Sequence, residues 1–81
     1  MNVIKLTDLP FKQRAIIHSF GETELYVKLL EMGCIPDEEI SVGLPAPLGD
    51  PIAVNVAGYQ LSLRKNEAEH ILVSPIENEP A

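Results

Sequence analysis

Ile40-Ser41-Val42-Gly43-Leu44, Ile52-Ala53-Val54-Asn55-Val56 and Tyr59-Gln60-Leu61-Ser62-Leu63 are three short runs in which large apolar residues alternate with small or polar ones. Successive side chains of a strand point to opposite faces, so this period of two predicts strands with one buried face. Ile40, Val42, Leu44, Ile52, Val54, Val56, Leu61 and Leu63 are the expected core positions. Gly58 separates the last two runs and marks a tight turn, which makes them a hairpin.

Outward from these runs the pattern changes. Upstream, Leu25, Leu29 and Met32 recur at helical spacing, with Tyr26 and Leu30 widening the stripe, and predict a helix over Glu22–Met32. Glu22 and Glu24 suit its N-terminal dipole, Glu24 and Lys28 form an i, i+4 pair, Gly33 ends it and Pro36 prevents continuation. Before the helix, Arg14–Phe20 reads as a strand in which periodicity leaves open whether Ile16 or Ile17 faces inward. Ile4–Pro10 reads as a capped turn, with Thr7 or Asp8 accepting a backbone N–H. Downstream, Lys65–His70 predicts one helical turn capped by Asn66, and Ile71–Val73 a final strand. Residues 76–81 carry too little apolar surface to pack and are expected to fray. The fold class is therefore mainly β with one inserted helix: a small barrel of about five strands spanning residues 1–75, with a short helical turn before the last strand.

Composition narrows the function. A chain of 81 residues, 46% hydrophobic, supports one core. Twelve acidic against six basic residues give a charge of −6, which repels phosphate backbones and anionic lipid, so nucleic acid is not an expected partner. The chain has no window of about 18 apolar residues, so no direct membrane insertion is expected, and the reading is cytoplasmic. Cys34 is the only cysteine, and together with His18 and His70 it falls short of a structural zinc pattern, so no cofactor is expected.

Few residues carry chemistry. Glu67 and His70, at i, i+3, are spaced to reach one metal ion, and His18 joins them only if the barrel brings it near; strong iron or zinc sites need three or four protein ligands. Cys34 follows the helix end, where the dipole disfavours a thiolate, and reads as a buried structural thiol. With no nucleophile–base spacing, the chain reads as non-enzymatic. Tyr26, Leu30, Leu44 and Leu48 are candidates for an apolar contact patch. In Pro45-Ala46-Pro47-Leu48-Gly49-Asp50-Pro51, three prolines preset φ and Gly49 permits reversal, which predicts a stiff, shaped loop.

The order of these pieces is similar to the FeoA family: Leu29-Leu30-Glu31-Met32-Gly33, Ile35-Pro36, Ala46-Pro47-Leu48-Gly49-Asp50-Pro51-Ile52, Tyr59-Gln60-Leu61-Ser62-Leu63-Arg64 and Glu67-Ala68-Glu69-His70-Ile71-Leu72-Val73. The resemblance runs from about Leu6 to Val73. It implies an SH3-like domain, shared with the C-terminus of iron-dependent repressors similar to the diphtheria toxin regulator, and here free-standing. It also implies a cytosolic adaptor of ferrous iron uptake that contacts the cytosolic G domain of the membrane transporter. This chain has no Gly-rich phosphate loop, so nucleotide binding falls to that partner. Tyr26, Leu30, Leu44, Pro47, Leu48, Gly49 and Asp50 are the expected partner-binding residues, and a homo-oligomer is compatible with the sequence. The chain departs from the family in carrying Lys12 and Asp37 where glycine is usual. A second reading is a module that senses Fe²⁺ near His70 and changes its partner contacts; a third is a small thiol or hydrolytic enzyme.

Overall fold

At the hairpin, Ala57 and Gly58 both adopt positive φ, 49° and 85°. This is the two-residue turn whose twist matches that of the strands it joins, and only glycine takes the second position without strain. The computed structural model describes residues 2–76 apart from Glu22 and Ala46, without the side chains of Leu44 and Pro45. The strands are β1 (Ile4–Lys5), β2 (Arg14–Phe20), β3 (Glu39–Pro45), β4 (Ile52–Val56), β5 (Tyr59–Leu63) and β6 (Ile71–Pro75). They form one antiparallel sheet in the order β1-β6-β2-β3-β4-β5.

The sheet thus has six strands rather than about five. The extra one is β1, where Ile4 and Lys5 pair with Val73 and Leu72; a two-residue strand is too short to show a period. The expected capped turn after it is a 3-10 turn over Leu6–Asp8 with no side-chain cap, held instead by the Leu9 N–H donating to the Leu6 carbonyl. Among the described residues no pairing joins β1 to β5, so both remain sheet edges. Ile76, expected to fray, is half-buried: its N–H donates to the Arg14 carbonyl and its own carbonyl accepts from the Gln13 side chain. Residues 77–81 lie outside the described residues.

The alternating runs supply the core. Ile40, Val54, Val56 and Leu63 are buried, and Val42, Ile52 and Leu61 pack against them half-buried; the side chain of Leu44 lies outside the described residues. In β2 it is Ile17, with Ala15, that faces inward, and a register shift between Ile17 and Ser19 leaves His18 exposed. Each large side chain taken fully out of water contributes about 1.5–3 kcal/mol, so this face dominates the stability.

The helix α1 spans Tyr26–Glu31, shorter than the expected Glu22–Met32. The Leu25 N–H donates to Thr23 Oγ1 at 3.0 Å, and this local bond competes with helix at the N-terminal side. At its other end Gly33 has φ 105°, the Cys34 N–H donates to the Leu29 carbonyl and the Gly33 N–H to the Leu30 carbonyl. That pair of bonds is the Schellman motif, whose usual apolar contact is supplied by Leu29 and Cys34, both buried. The short helix α2 spans Lys65–Ala68. Its N-cap is Arg64 rather than Asn66, because Glu67 Oε1 accepts the Arg64 N–H at 2.8 Å while Asn66 is exposed.

Lys12 and Asp37 hold left-handed conformations, φ 71° and 78°. Tertiary hydrogen bonds retain both: the Lys12 N–H donates to the Val42 carbonyl at 3.1 Å and the Asp37 N–H to the Ile17 carbonyl at 2.8 Å. Left-handed backbone is what glycine adopts without strain, so both residues hold a conformation costly to a side chain.

Candidate partner-binding surface

The end of β2 and the start of α1 meet at an edge-on contact between Phe20 and Tyr26, ring centroids 6.2 Å apart at 60°. The Gly21 N–H donates to the His70 carbonyl at 2.7 Å and fixes this corner to the start of β6. Between the two elements lies an open groove of about 440 Å³, walled by Phe20, Tyr26, Leu30 and Pro36 with His18 and Thr23 at its margins. Tyr26 is 50% exposed and Leu30 half-buried, so the apolar stripe of α1 continues past the core into solvent.

Val27 and Ile35 are also exposed and flank this region in sequence. Neither is among the residues expected at the contact patch. The available signal was Val27 itself, an apolar residue lying off the Leu25–Leu29–Met32 stripe on what should be a polar face.

The proline-rich loop presents Pro47, Leu48, Gly49 and Asp50 on the surface, with Leu48 93% exposed. Asp50 also has an internal task, since its Oδ1 accepts the Lys65 N–H at 2.9 Å and so satisfies the first amide of α2. Gly49 lines a second groove of about 270 Å³ with Leu6, Phe11, Val42 and Ile52. The two grooves share no residue. Tyr26 and Leu30 line one groove together, whereas Gly49 of the loop lines the other.

Glu67 is 6% exposed, and both its oxygens are engaged: Oε1 by the Arg64 N–H and Oε2 by Lys28 Nζ at 2.6 Å. Lys28 thus pairs across the fold rather than with Glu24. The Lys28 bond, and after it the Arg64 N–H, hold the Glu67 carboxyl below its ordinary pKa despite burial. His70 is half-buried, with Nε2 4.0 Å from Glu69 Oε1, and His18 Nδ1 lies 2.8 Å from Ser19 Oγ. Among the described residues no three His, Cys, Asp or Glu side chains converge. Burial, and then the Glu67 charge, push the Cys34 thiol above its ordinary pKa, which leaves it protonated and a poor nucleophile at neutral pH. No helix among the described residues is long and apolar enough to cross a membrane.

Residues 4–75 match the FeoA domain family. The FeoA-like protein of Clostridium acetobutylicum is 34% identical with a TM-score of 0.89, the match covering all of this chain and 95% of that one. Iron(II) transport protein A of Clostridium thermocellum is 39% identical with a TM-score of 0.83, over 90% of this chain but only 46% of that one. FeoA of Stenotrophomonas maltophilia, an SH3 domain protein solved in complex with zinc, is 26% identical with a TM-score of 0.76, over 88% and 89% of the two chains. No curated protein matches the chain. The match over residues 4–75 and the 34% identity across the whole chain agree, and the chain belongs to the FeoA family, whose members are associated with bacterial ferrous iron transport.

Proposed function

We propose that the chain is a cytosolic adaptor of ferrous iron uptake, which acts by contact with the cytosolic G domain of the membrane transporter and catalyses no reaction itself. The observation that carries this reading is the groove beside α1, where Tyr26 and Leu30 present apolar surface that the core does not use. An aromatic side chain at the rim of an apolar groove is the type of anchor that dominates protein interfaces. Leu48, at the tip of the proline-rich loop, is a second contact whose backbone loses little freedom on binding. The metal-sensing alternative has less behind it, since both Glu67 oxygens already accept hydrogen bonds and among the described residues no three His, Cys, Asp or Glu side chains converge around His70.

The test is binding of the purified chain to the transporter's cytosolic domain, with and without Fe²⁺. Tyr26→Ser is expected to weaken binding at least about tenfold, the scale of an interface anchor, without Fe²⁺ dependence. Leu48→Ser should weaken it less and leave the melting transition intact, because the side chain is already in water. Unchanged binding in both variants, or binding seen only with Fe²⁺, would overturn the adaptor reading.

A further inference from the structure

The edge strand β5 leaves one side of its backbone unpaired within the sheet. It hydrogen-bonds on one side to β4, with Val56 opposite Tyr59, Val54 opposite Leu61 and Ile52 opposite Leu63, and among the described residues no strand lies on its other side. Closing a two-residue turn makes Val56 and Tyr59 a hydrogen-bonded pair, and the alternation of an antiparallel ladder makes Leu61 and Leu63 the next two. The N–H and C=O groups of Gln60 and Ser62 therefore point away from the sheet. Both residues are exposed, and among the described residues no backbone bond outside the ladder engages them.

Proteins usually protect such an edge with lysine, proline or a bulge. Tyr59-Gln60-Leu61-Ser62-Leu63 has no charge and no proline, and its pairing with β4 runs without a register shift. Tyr59 lies on the same face as the buried Val56 and Leu63, yet is 71% exposed, an aromatic ring on the inner face with nothing over it.

We propose that β5 joins β5 of a second copy of this chain in an antiparallel, two-fold symmetric pair centred on Leu61. In that register Gln60 of each copy lies opposite Ser62 of the other, and both pairs exchange N–H and C=O, which engages every outward backbone group of the strand. Leu61 meets its symmetry mate in the closer, non-hydrogen-bonded type of pair, and the exposed Tyr59 ring reaches the mate's half-buried Leu61 on the diagonal. Tyr59–Leu63 carries no charge and Arg64 falls opposite Gly58, so no like charges meet along the strands. A one-residue slip would set outward groups against groups already bonded to β4 and would forfeit these bonds. Five residues a side is small beside the roughly 20 of a standard interface, so the dimer is weak, with a Kd on the order of 100 µM.

The test is sedimentation equilibrium of the full chain from about 10 µM to about 1 mM, a range that brackets this Kd. A monomer–dimer equilibrium is expected. Ser62→Pro should abolish it while retaining a cooperative melt, because it removes an N–H that the β4 ladder does not use. Amide shifts followed on dilution of the unaltered chain give an independent reading, expected to concentrate on Gln60, Leu61 and Ser62, and they decide the matter if Ser62→Pro does not fold. A chain that stays monomeric throughout, dimerisation undiminished in a folded Ser62→Pro variant, or dilution shifts centred on Tyr26 and Leu30 would overturn the proposal.

Discussion

Replacing Glu67 by glutamine is the most informative single change, because it alters the charge and one hydrogen bond of a buried side chain while keeping its shape. The amide oxygen can still accept the Arg64 N–H, but the amide nitrogen faces Lys28 Nζ, a donor set against a donor. A hydrogen bond involving a charged group contributes about 1.5–3 kcal/mol. Lys28 keeps 59% of its side chain in solvent, and screening places the loss near the low end, about 1–2 kcal/mol. For a domain of this size that is about 4–16 °C in Tm. The pH dependence separates charge from packing. The Glu67 pKa is lowered in the folded state from an ordinary 4.5, so its contribution is complete above the unfolded value and is lost as pH falls from there through the folded value. Glutamine does not titrate. Urea unfolding at pH 7 should therefore show the Glu67→Gln deficit in full, and at about pH 3 it should have narrowed. An equal deficit at both pH values would show that the side chain acts through packing and would refute the ion-pair reasoning.

Two further outcomes test the fold. Val54→Asp places a carboxylate in the fully buried middle of β4, at a cost of several kcal/mol comparable with the whole stability of a small domain, so the cooperative melt should be lost. Lys12→Gly should stabilise by about 0.5–1 kcal/mol, since relief of about 1–2 kcal/mol of left-handed strain is partly offset by the freer unfolded chain; a higher urea midpoint at unchanged slope is the expected reading.

The sheet was legible in the sequence wherever a strand was long enough to alternate. Ile40, Val42, Val54, Val56 and Leu63 needed only a period of two. The length of β1 hid it, and the bulge that exposes His18 broke the period in β2, which is why Ile16 and Ile17 could not be told apart. Helix propensity overstated α1, because the Thr23 side chain offers the backbone a local bond that apolar spacing does not reveal. The candidate site was legible only in part. Tyr26 and Leu30 follow from the stripe, whereas the bonds by which Asp50 reaches Lys65 and Glu67 reaches Lys28 join segments far apart in the chain and leave no mark in residue spacing.

Those ties explain how so short a helix can shape a groove. Six residues of helix are below the length that is stable alone in water, so α1 depends on its attachments. At the C-terminal end, the Schellman bonds and the burial of Leu29 with Cys34 fix its axis against the core. On its side, Lys28 reaches Glu67, and Glu67 in turn caps α2, so the two helices share one carboxylate. At its start, Tyr26 leans on Phe20 at the end of β2. The groove wall, from Tyr26 to Leu30, is held between the first and third of these attachments. Loosening the Lys28–Glu67 bond should thus free the helix face that carries Tyr26 and Leu30 before it exposes the core, coupling a buried ion pair to the surface proposed to bind the partner.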